Sequence, residues 1–404
     1  MKTAIWFVIV LLPFFNFFIA PNVSFADVGL LIGCMAVFFR DYKSIYILRK
    51  TKHKYLIILL IWTVLSSLFL LLNPANDHVN YLGIINNSLR FLFIIYLFIN
   101  LRFFFRNNSL TNYTIIVWIK VIYFVCFLGF IEYLLQFVGV YYSYYVDGIT
   151  TTTSRVSSQS FRISSVFNEP SYLVIYLNIS LIVISEYYKQ NKATFRMNYK
   201  RVLYTSLLTI LLAQSLLGIA LIILVLVLYK DLIFGKSLRK NGMKIGLGFS
   251  FVAGVLIYLN FDRIQAVYAL EDGSANHRLL GSVELANKII EKNYLLTGVG
   301  IGQQKQFLLE NTLIFNNHFF NKKVSRNSGI NNMFVLIFFQ IGIVGLTLYL
   351  FFLYDTFKEN KKIFLFLIVS GFGWAFTFNP LYWFCISILN ILINGRKKNL
   401  VYLN

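Results

Sequence analysis

Residues 160–172 read SFRISSVFNEPSY, an arginine, a run of serines and a Glu-Pro pair set where an apolar block begins. A boundary of that composition has the character of an active-site rim. Arg162 is permanently charged and presents a planar fork of donors that grips phosphate oxygens two at a time. Arg155, Arg263, Arg278 and Arg326 fall on the same side of the apolar blocks as Arg162, on the topology derived below. Gathered at membrane level, such arginines suit a lipid-linked phosphate or diphosphate. Each has a plainer alternative, an ion pair with Glu169, Asp262, Asp272 or Glu284, or a side chain that snorkels to headgroups.

The elements that must position these residues are set by composition. Hydrophobic residues make up 58% of the chain and charged residues 13%, against about 25% charged in a soluble globular protein. The apolar residues fall in blocks long enough to cross a hydrocarbon core of about 30 Å, which takes about 20 residues of helix. They lack the alternation of barrel strands, so the chain is expected to be an all-α integral membrane protein.

Hydropathy places spans at residues 4–20, 22–39, 55–73, 83–101, 114–138, 171–188, 245–261 and 332–354, with two longer blocks at 202–229 and 363–394. The connections at 40–54, 189–201, 230–244, 358–362 and 396–398 are dense in Lys and Arg, which puts them in the cytoplasm. Both long blocks then have two cytoplasmic ends, so each must be a hairpin. The first turns near Gln214 and Ser215, the second near Asn379 and Pro380, the proline suiting a helix start. The total becomes about 12 transmembrane helices with both termini inside. The net charge of +21 is therefore mostly topology, and no nucleic-acid partner is expected. The expected division is N-terminal transmembrane helices over 1–138, a first outer loop over 139–170 and central helices with a polar-tipped hairpin over 171–261. A large outer loop over 262–331 and C-terminal helices over 332–404 complete it.

Several features have structural and functional alternatives. Ser24-Phe25-Ala26 before Asp27 imitates a signal-peptide cleavage site, but cleavage there would leave too little apolar chain to span before Phe39, so an uncleaved first hairpin is expected. Cys34, Cys126 and Cys385 lie in predicted spans, which suggests neither a disulfide framework nor a metal cluster. Glu132 and Lys120 share one span: Lys120 can snorkel, and Glu132 is either a helix-packing residue or a functional one. The large outer loop carries Leu279, Leu280, Val283, Ala286, Ile289 and Ile290 at helical spacing, an amphipathic helix packed on the bundle or lying at the interface. Gly298 to Gly302 imitates a phosphate loop but lacks its Lys-Ser or Lys-Thr ending, so a tight turn is expected. Gly342 and Gly345 are expected to be packing contacts.

Arg162 is followed by Phe167 and Glu169-Pro170 at a span start, and Ser215 by Gly218 at a hairpin tip. A long outer loop containing Arg278 and Gly298-Val299-Gly300 ends in Asn331-Asn332 before a span with Gly342-Ile343-Val344-Gly345. In this order and topology the chain resembles the O-antigen polymerase and O-antigen ligase superfamily of bacterial polysaccharide assembly. The resemblance implies a C-type glycosyltransferase-like bundle with a large outer loop, acting without metal or cofactor at the outer face of the bacterial cytoplasmic (inner) membrane. Its substrates would be undecaprenyl-diphosphate-linked glycans, and its partners membrane lipids, a chain-length regulator and a flippase.

On that resemblance Arg162 and Arg278 are the diphosphate ligands, with Arg155 and Arg326 as further candidates. Glu169 acts as a base, positions the acceptor sugar or holds Arg162 by an ion pair. The ligase branch carries a histidine before the span that closes the loop; here Asn331-Asn332 stands in that place, which favours polymerase over ligase. His318, on the same loop, can substitute as the base, and His277 sits beside Arg278. Asn327 joins the polar stretch of Arg326. Tyr144 and Tyr145, clustered with Tyr141, Tyr142 and Phe161 beside the arginine loop, can stack on sugar rings. The competing class is a lipid-linked oligosaccharide flippase or other transporter, which often shows internal repeats and midplane broken helices. No repeat is evident here.

Overall fold

The computed structural model describes residues 2–15, 17–20, 23–40, 54–71, 81–104, 108–139, 162–167, 169–191, 199–234, 273–304, 307, 313–317, 322–326, 332–373 and 379–401, with single residues at 254, 258, 261, 265 and 268. These residues are mostly helical. Among the described residues four helices are long and apolar enough to cross a membrane, within Tyr81–Leu101, Ser109–Phe137, Pro170–Asn191 and Met333–Phe357. Shorter apolar helices run over Lys2–Phe14, Phe25–Phe39, Lys54–Phe69, Leu216–Leu228 and Pro380–Ile393. The chain has the helices of a membrane protein, and it divides into two compact units.

The first unit comprises Met1–Lys52, Leu92–Ile233 and Phe378–Asn404. It opens with α1 (Lys2–Leu11) and α2 (Phe25–Arg40), joined through a 3-10 turn at Leu12–Phe14 and a short antiparallel pair, β1 (Phe18–Ala20) and β2 (Val23–Ser24). The span expected over residues 4–20 thus stops early, at Pro13, which has no N–H and crowds the preceding turn. The stretch that imitates a cleavage site is a helix cap. Ser24 donates its backbone N–H to Asp27 Oδ2 at 2.9 Å, and Asp27 N–H returns to Ser24 Oγ at 3.3 Å, a capping box that opens α2.

At the centre of this unit lies α6 (Pro170–Asn191), in which every residue from Ser171 to Tyr187 is buried. It is packed by α5 (Asn108–Phe137), α7 (Tyr199–Leu212), α8 (Leu216–Leu228) and α13 (Pro380–Val401). A fully enclosed helix needs partners for its polar groups and small residues on its neighbours. Trp118 Nε1 of α5 donates to Ser180 Oγ at 3.0 Å, and Tyr229 O–H after α8 donates to Glu186 Oε1 at 2.9 Å. Gly218 of α8 lies so close to α6 that a Cβ there would sit 2.7 Å from Val174. The cysteines Cys34, Cys126 and Cys385 are free and buried.

The first long block is indeed two helices, α7 and α8, broken at Ala213–Ser215. Gln214 adopts φ +46, and Ser215 caps α8 by accepting Gly218 N–H at 3.4 Å. At 14 and 13 residues each is about 20 Å long, shorter than a full hydrocarbon crossing. The second long block breaks where expected too: α12 (Lys361–Gly371) ends well before Pro380, the first residue of α13, and Asn379 Oδ1 accepts Leu381 N–H at 2.8 Å. The span expected over residues 245–261 lies almost wholly outside the described residues.

The second unit comprises His53–Phe91 and Phe234–Thr377. Here α3 (Lys54–Leu71) packs along α11 (Met333–Phe357), and α10 (Gly273–Glu291) packs on α11 through Leu285 and Ile289 against Leu336 and Phe339. The amphipathic helix expected in the outer loop is therefore present and packed. β3 (Leu313–Asn317) and β4 (Lys322–Arg326) form an antiparallel hairpin. α11 is broken at Ile341 and Gly342, where Gly342 takes φ +70. Its freed backbone groups are met: Val299 and Gly300 N–H donate to Phe339 and Gln340 carbonyls, Ile343 N–H donates to Leu295 O, and Trp62 Nε1 of α3 donates to Ile341 O at 2.8 Å.

Candidate active site at the Arg162 rim

The segment Arg162–Phe167 is seated on one stripe of α5. Val125, Gly129, Glu132 and Gln136 recur at helical steps on its inner face, while Phe124, Phe127, Ile131 and Leu134 form the exposed apolar face. Ser165 Oγ donates to Val125 O at 2.7 Å. A Cβ at Gly129 would meet Ile163 Cδ1 at 3.1 Å, so glycine lets the segment lie close. Glu132 Oε2 accepts the N–H groups of Ser164 and Ser165 at 2.9 and 2.7 Å, and its Oε1 accepts Ser164 Oγ at 3.2 Å. Gln136 Nε2 donates to Arg162 O at 2.9 Å.

Two successive amides converging on one oxygen form the anion-binding geometry of a backbone nest, completed by Ser165 at φ +53. The group seated there is the chain's own Glu132 carboxyl, buried at 6% exposure. Below the segment, Phe167 is buried against Phe15 and Tyr176, with ring centroids 5.8 and 5.3 Å apart. The rim is therefore held from α5 and from the core together.

Arg162 leaves this seat toward the hairpin tip, where its Nε donates to Ala213 O at 3.3 Å. The rim and the tip, remote in sequence, are thus joined through the Arg162 side chain. Glu169 occupies the N-cap position of α6: its carbonyl accepts Tyr172 N–H at 3.0 Å and its carboxylate accepts Ser171 Oγ at 3.1 Å. A carboxylate there faces the positive end of the helix. Pro170 opens the helix, the role expected of it.

Arg278 belongs to α10 and Arg326 to the end of β4, paired with Leu313, both in the second unit. Their side chains, and Tyr144, Tyr145, Arg155, His318 and Asn327 altogether, lie outside the described residues. Asn332 is a helix cap, its Oδ1 accepting Phe334 and Val335 N–H at 3.0 and 3.3 Å. Gly298 to Gly302 is no phosphate cradle: the Gly298, Val299 and Gly300 N–H groups are already bonded to Tyr294, Phe339 and Gln340 carbonyls. A tight, structural turn is what the sequence favoured there.

Glu132 and Gln136 are the residues whose role the sequence left open or passed over. Their signal was legible as a stripe: a glycine and two polar residues at steps of three and four within an otherwise apolar span. Among the described residues no group of three His, Cys, Asp or Glu is placed to hold a metal ion. No protein-family model matches the chain, and a search of curated proteins finds no match either.

Proposed function

We propose that this chain is a polysaccharide polymerase, joining undecaprenyl-diphosphate-linked oligosaccharide repeat units at the outer face of the bacterial cytoplasmic membrane. In this reading it has about twelve spans and cytoplasmic termini, with residues 139–170 and 262–331 facing outward. The observation that carries the proposal is the seat of Arg162. A guanidinium is mounted on a segment held by four hydrogen bonds to Glu132 and Gln136, three of them from its backbone, and it reaches the polar hairpin tip at Ala213. Resemblance had linked those two features by their order in the sequence; their contact supports the reading independently of that order.

The chemistry follows from what a fixed arginine does. An acceptor hydroxyl oxygen forms a bond to the anomeric carbon of the donor glycan as the bond from that carbon to the diphosphate oxygen breaks. The diphosphate leaves with the electron pair, the configuration inverts, and the hydroxyl proton passes to a base or to the departing diphosphate. Negative charge grows on the leaving group, and a preorganised guanidinium stabilises it without reorganisation at the moment of reaction. Arg278 is proposed as the second diphosphate ligand, with Arg155, Arg326 and Asn327 as further substrate contacts. Tyr144 and Tyr145 are proposed to stack on sugar rings, and His318 is the proposed base. Glu169, at the α6 N-cap, is proposed to hold the rim rather than to move a proton.

The experiment is reconstitution of the full-length protein in liposomes with a lipid-diphosphate oligosaccharide on the outside. Lipid-linked glycans longer by whole repeat units are expected. Movement of the substrate across the bilayer without elongation would instead assign a transporter.

A further inference from the structure

The least expected group near the rim is a carboxylate inside the bundle. Glu132 stands within a helix long and apolar enough to cross a membrane, where an ionisable side chain is costly unless donors meet it. Three donors do, and all come from Ser164 and Ser165, the residues that follow Arg162-Ile163. Gln136, one turn further along α5, holds the carbonyl of Arg162 itself. The α5 stripe thus grips the backbone on both sides of Ile163, whose side chain is fully buried. Both oxygens of Glu132 are occupied by the segment, which leaves its carboxylate facing the loop rather than a substrate.

We propose that Glu132 is a positioning residue for glycosyl transfer, acting through the Ser164–Ser165 backbone to fix Arg162 against the leaving diphosphate, with Gln136 as its partner. This rests on the polymerase reading above. Small displacements are costly to such a contact, since a shift of about 1 Å in a catalytic group can lower turnover by about a hundredfold. Removing the carboxylate frees three donors at once and lets the segment settle elsewhere. Glutamine is the informative replacement: its carbonyl oxygen can accept the two amides while its NH2 donates to Ser164 Oγ.

The test uses the full chain in lipid nanodiscs with two readouts. Hydrogen exchange over residues 160–170 reports the anchor without reference to activity. Glu132→Ala is expected to raise exchange at Ser164 and Ser165 by about tenfold or more, as lost amide protection does, and Glu132→Gln to leave it near wild type. Elongation of lipid-diphosphate oligosaccharide reports the consequence: Glu132→Ala is expected to lower kcat by about tenfold or more, with Glu132→Gln restoring most of it. In an Arg162→Ala background, Glu132→Ala should cost nothing further, because the residue acts through that arginine.

An inactive Glu132→Gln with native exchange would overturn the proposal in favour of direct carboxylate chemistry. Additive losses in the double variant would overturn it in favour of a general structural role, and so would full activity in Glu132→Ala. If Glu132→Ala does not fold, Gln136→Ala carries the same two readouts, and additivity with Arg162→Ala again overturns the proposal. A wild-type protein that protects Ser164 and Ser165 yet elongates nothing refutes the polymerase reading, and the role in transfer with it, while leaving the anchor established.

Discussion

The Ser165 amide donates to Oε2 of Glu132 at 2.7 Å, the shortest of the three bonds that Glu132 accepts from the segment after Arg162. The bond joins α5 to the rim, and it turns a buried carboxyl group into a fixed backbone position. The backbone of Arg162, packing inside α5 and the backbone of Ser164–Ser165 are therefore one mechanical unit.

The tightest glycine among the described residues of the second unit is predicted to be intolerant. Gly342 has φ +70, and a Cβ there would lie 2.0 Å from Leu296 O. Gly342→Ala is expected to destabilise by about 3 kcal/mol, combining backbone strain with overlap. Thermal unfolding in detergent, followed by size exclusion, checks this. Gly254→Ala is the control, since a Cβ at Gly254 meets nothing within 4 Å, and it should change stability by less than about 0.5 kcal/mol.

The break in α11 also depends on an indole. Trp62 Nε1 supplies the hydrogen bond to Ile341 O that the broken helix cannot make for itself. Trp62→Phe keeps most of the apolar contact and deletes the donor, so a loss of about 1–3 kcal/mol is expected, the cost of a buried unmet carbonyl. An unchanged melting temperature would mean that water reaches Ile341 O.

Much of this arrangement could be read from the sequence, and what could not has physical causes. The break between α7 and α8 was legible because Gln214 and Ser215 interrupt an apolar run too long for one helix with two basic flanks. Pro380 was legible as a helix start. The span lengths were less so: hydropathy continues past Pro13, whereas the helix cannot. The broken α11 left no trace in hydropathy, because Ile341-Gly342 is apolar and its freed backbone groups are satisfied by Leu295–Gly300 and Trp62, far away in sequence. Glu132 was visible as an intramembrane charge, but only contact with Ser164 and Ser165 tells what it holds. Arg278 was singled out by order along the chain, which fixes its helix and not its reach.

Contact between α6 and α8 sets the position of the hairpin tip that meets Arg162. A Cβ at Gly218 would lie 2.7 Å from Val174, so Gly218→Ala must push α8 outward, at a cost of about 1–3 kcal/mol. Because Ala213 and Ser215 lead into α8, the same variant is expected to shorten the polymer at normal membrane abundance. Chain-length analysis of surface glycan beside an immunoblot of the membranes tests both parts.

The proposed polymerase reaction uses no metal, which makes a further prediction. Elongation in liposomes should survive treatment with excess EDTA and be unchanged by added magnesium or manganese, because in that proposal guanidinium groups supply the positive charge that a divalent ion otherwise brings to a departing diphosphate. Loss of elongation on chelation, with recovery on adding a divalent ion, would place a metal in the reaction.

The proposed function turns on Arg162 serving repeat-unit polymerisation. Its most direct test is the ladder of surface glycan from cells whose only copy carries Arg162→Ala, with the variant's membrane abundance measured in parallel. Normal abundance, loss of the long ladder and retention of core bearing a single repeat unit are expected. A normal ladder would contradict the role of Arg162, and loss of the single unit as well would contradict polymerisation in favour of ligation or translocation.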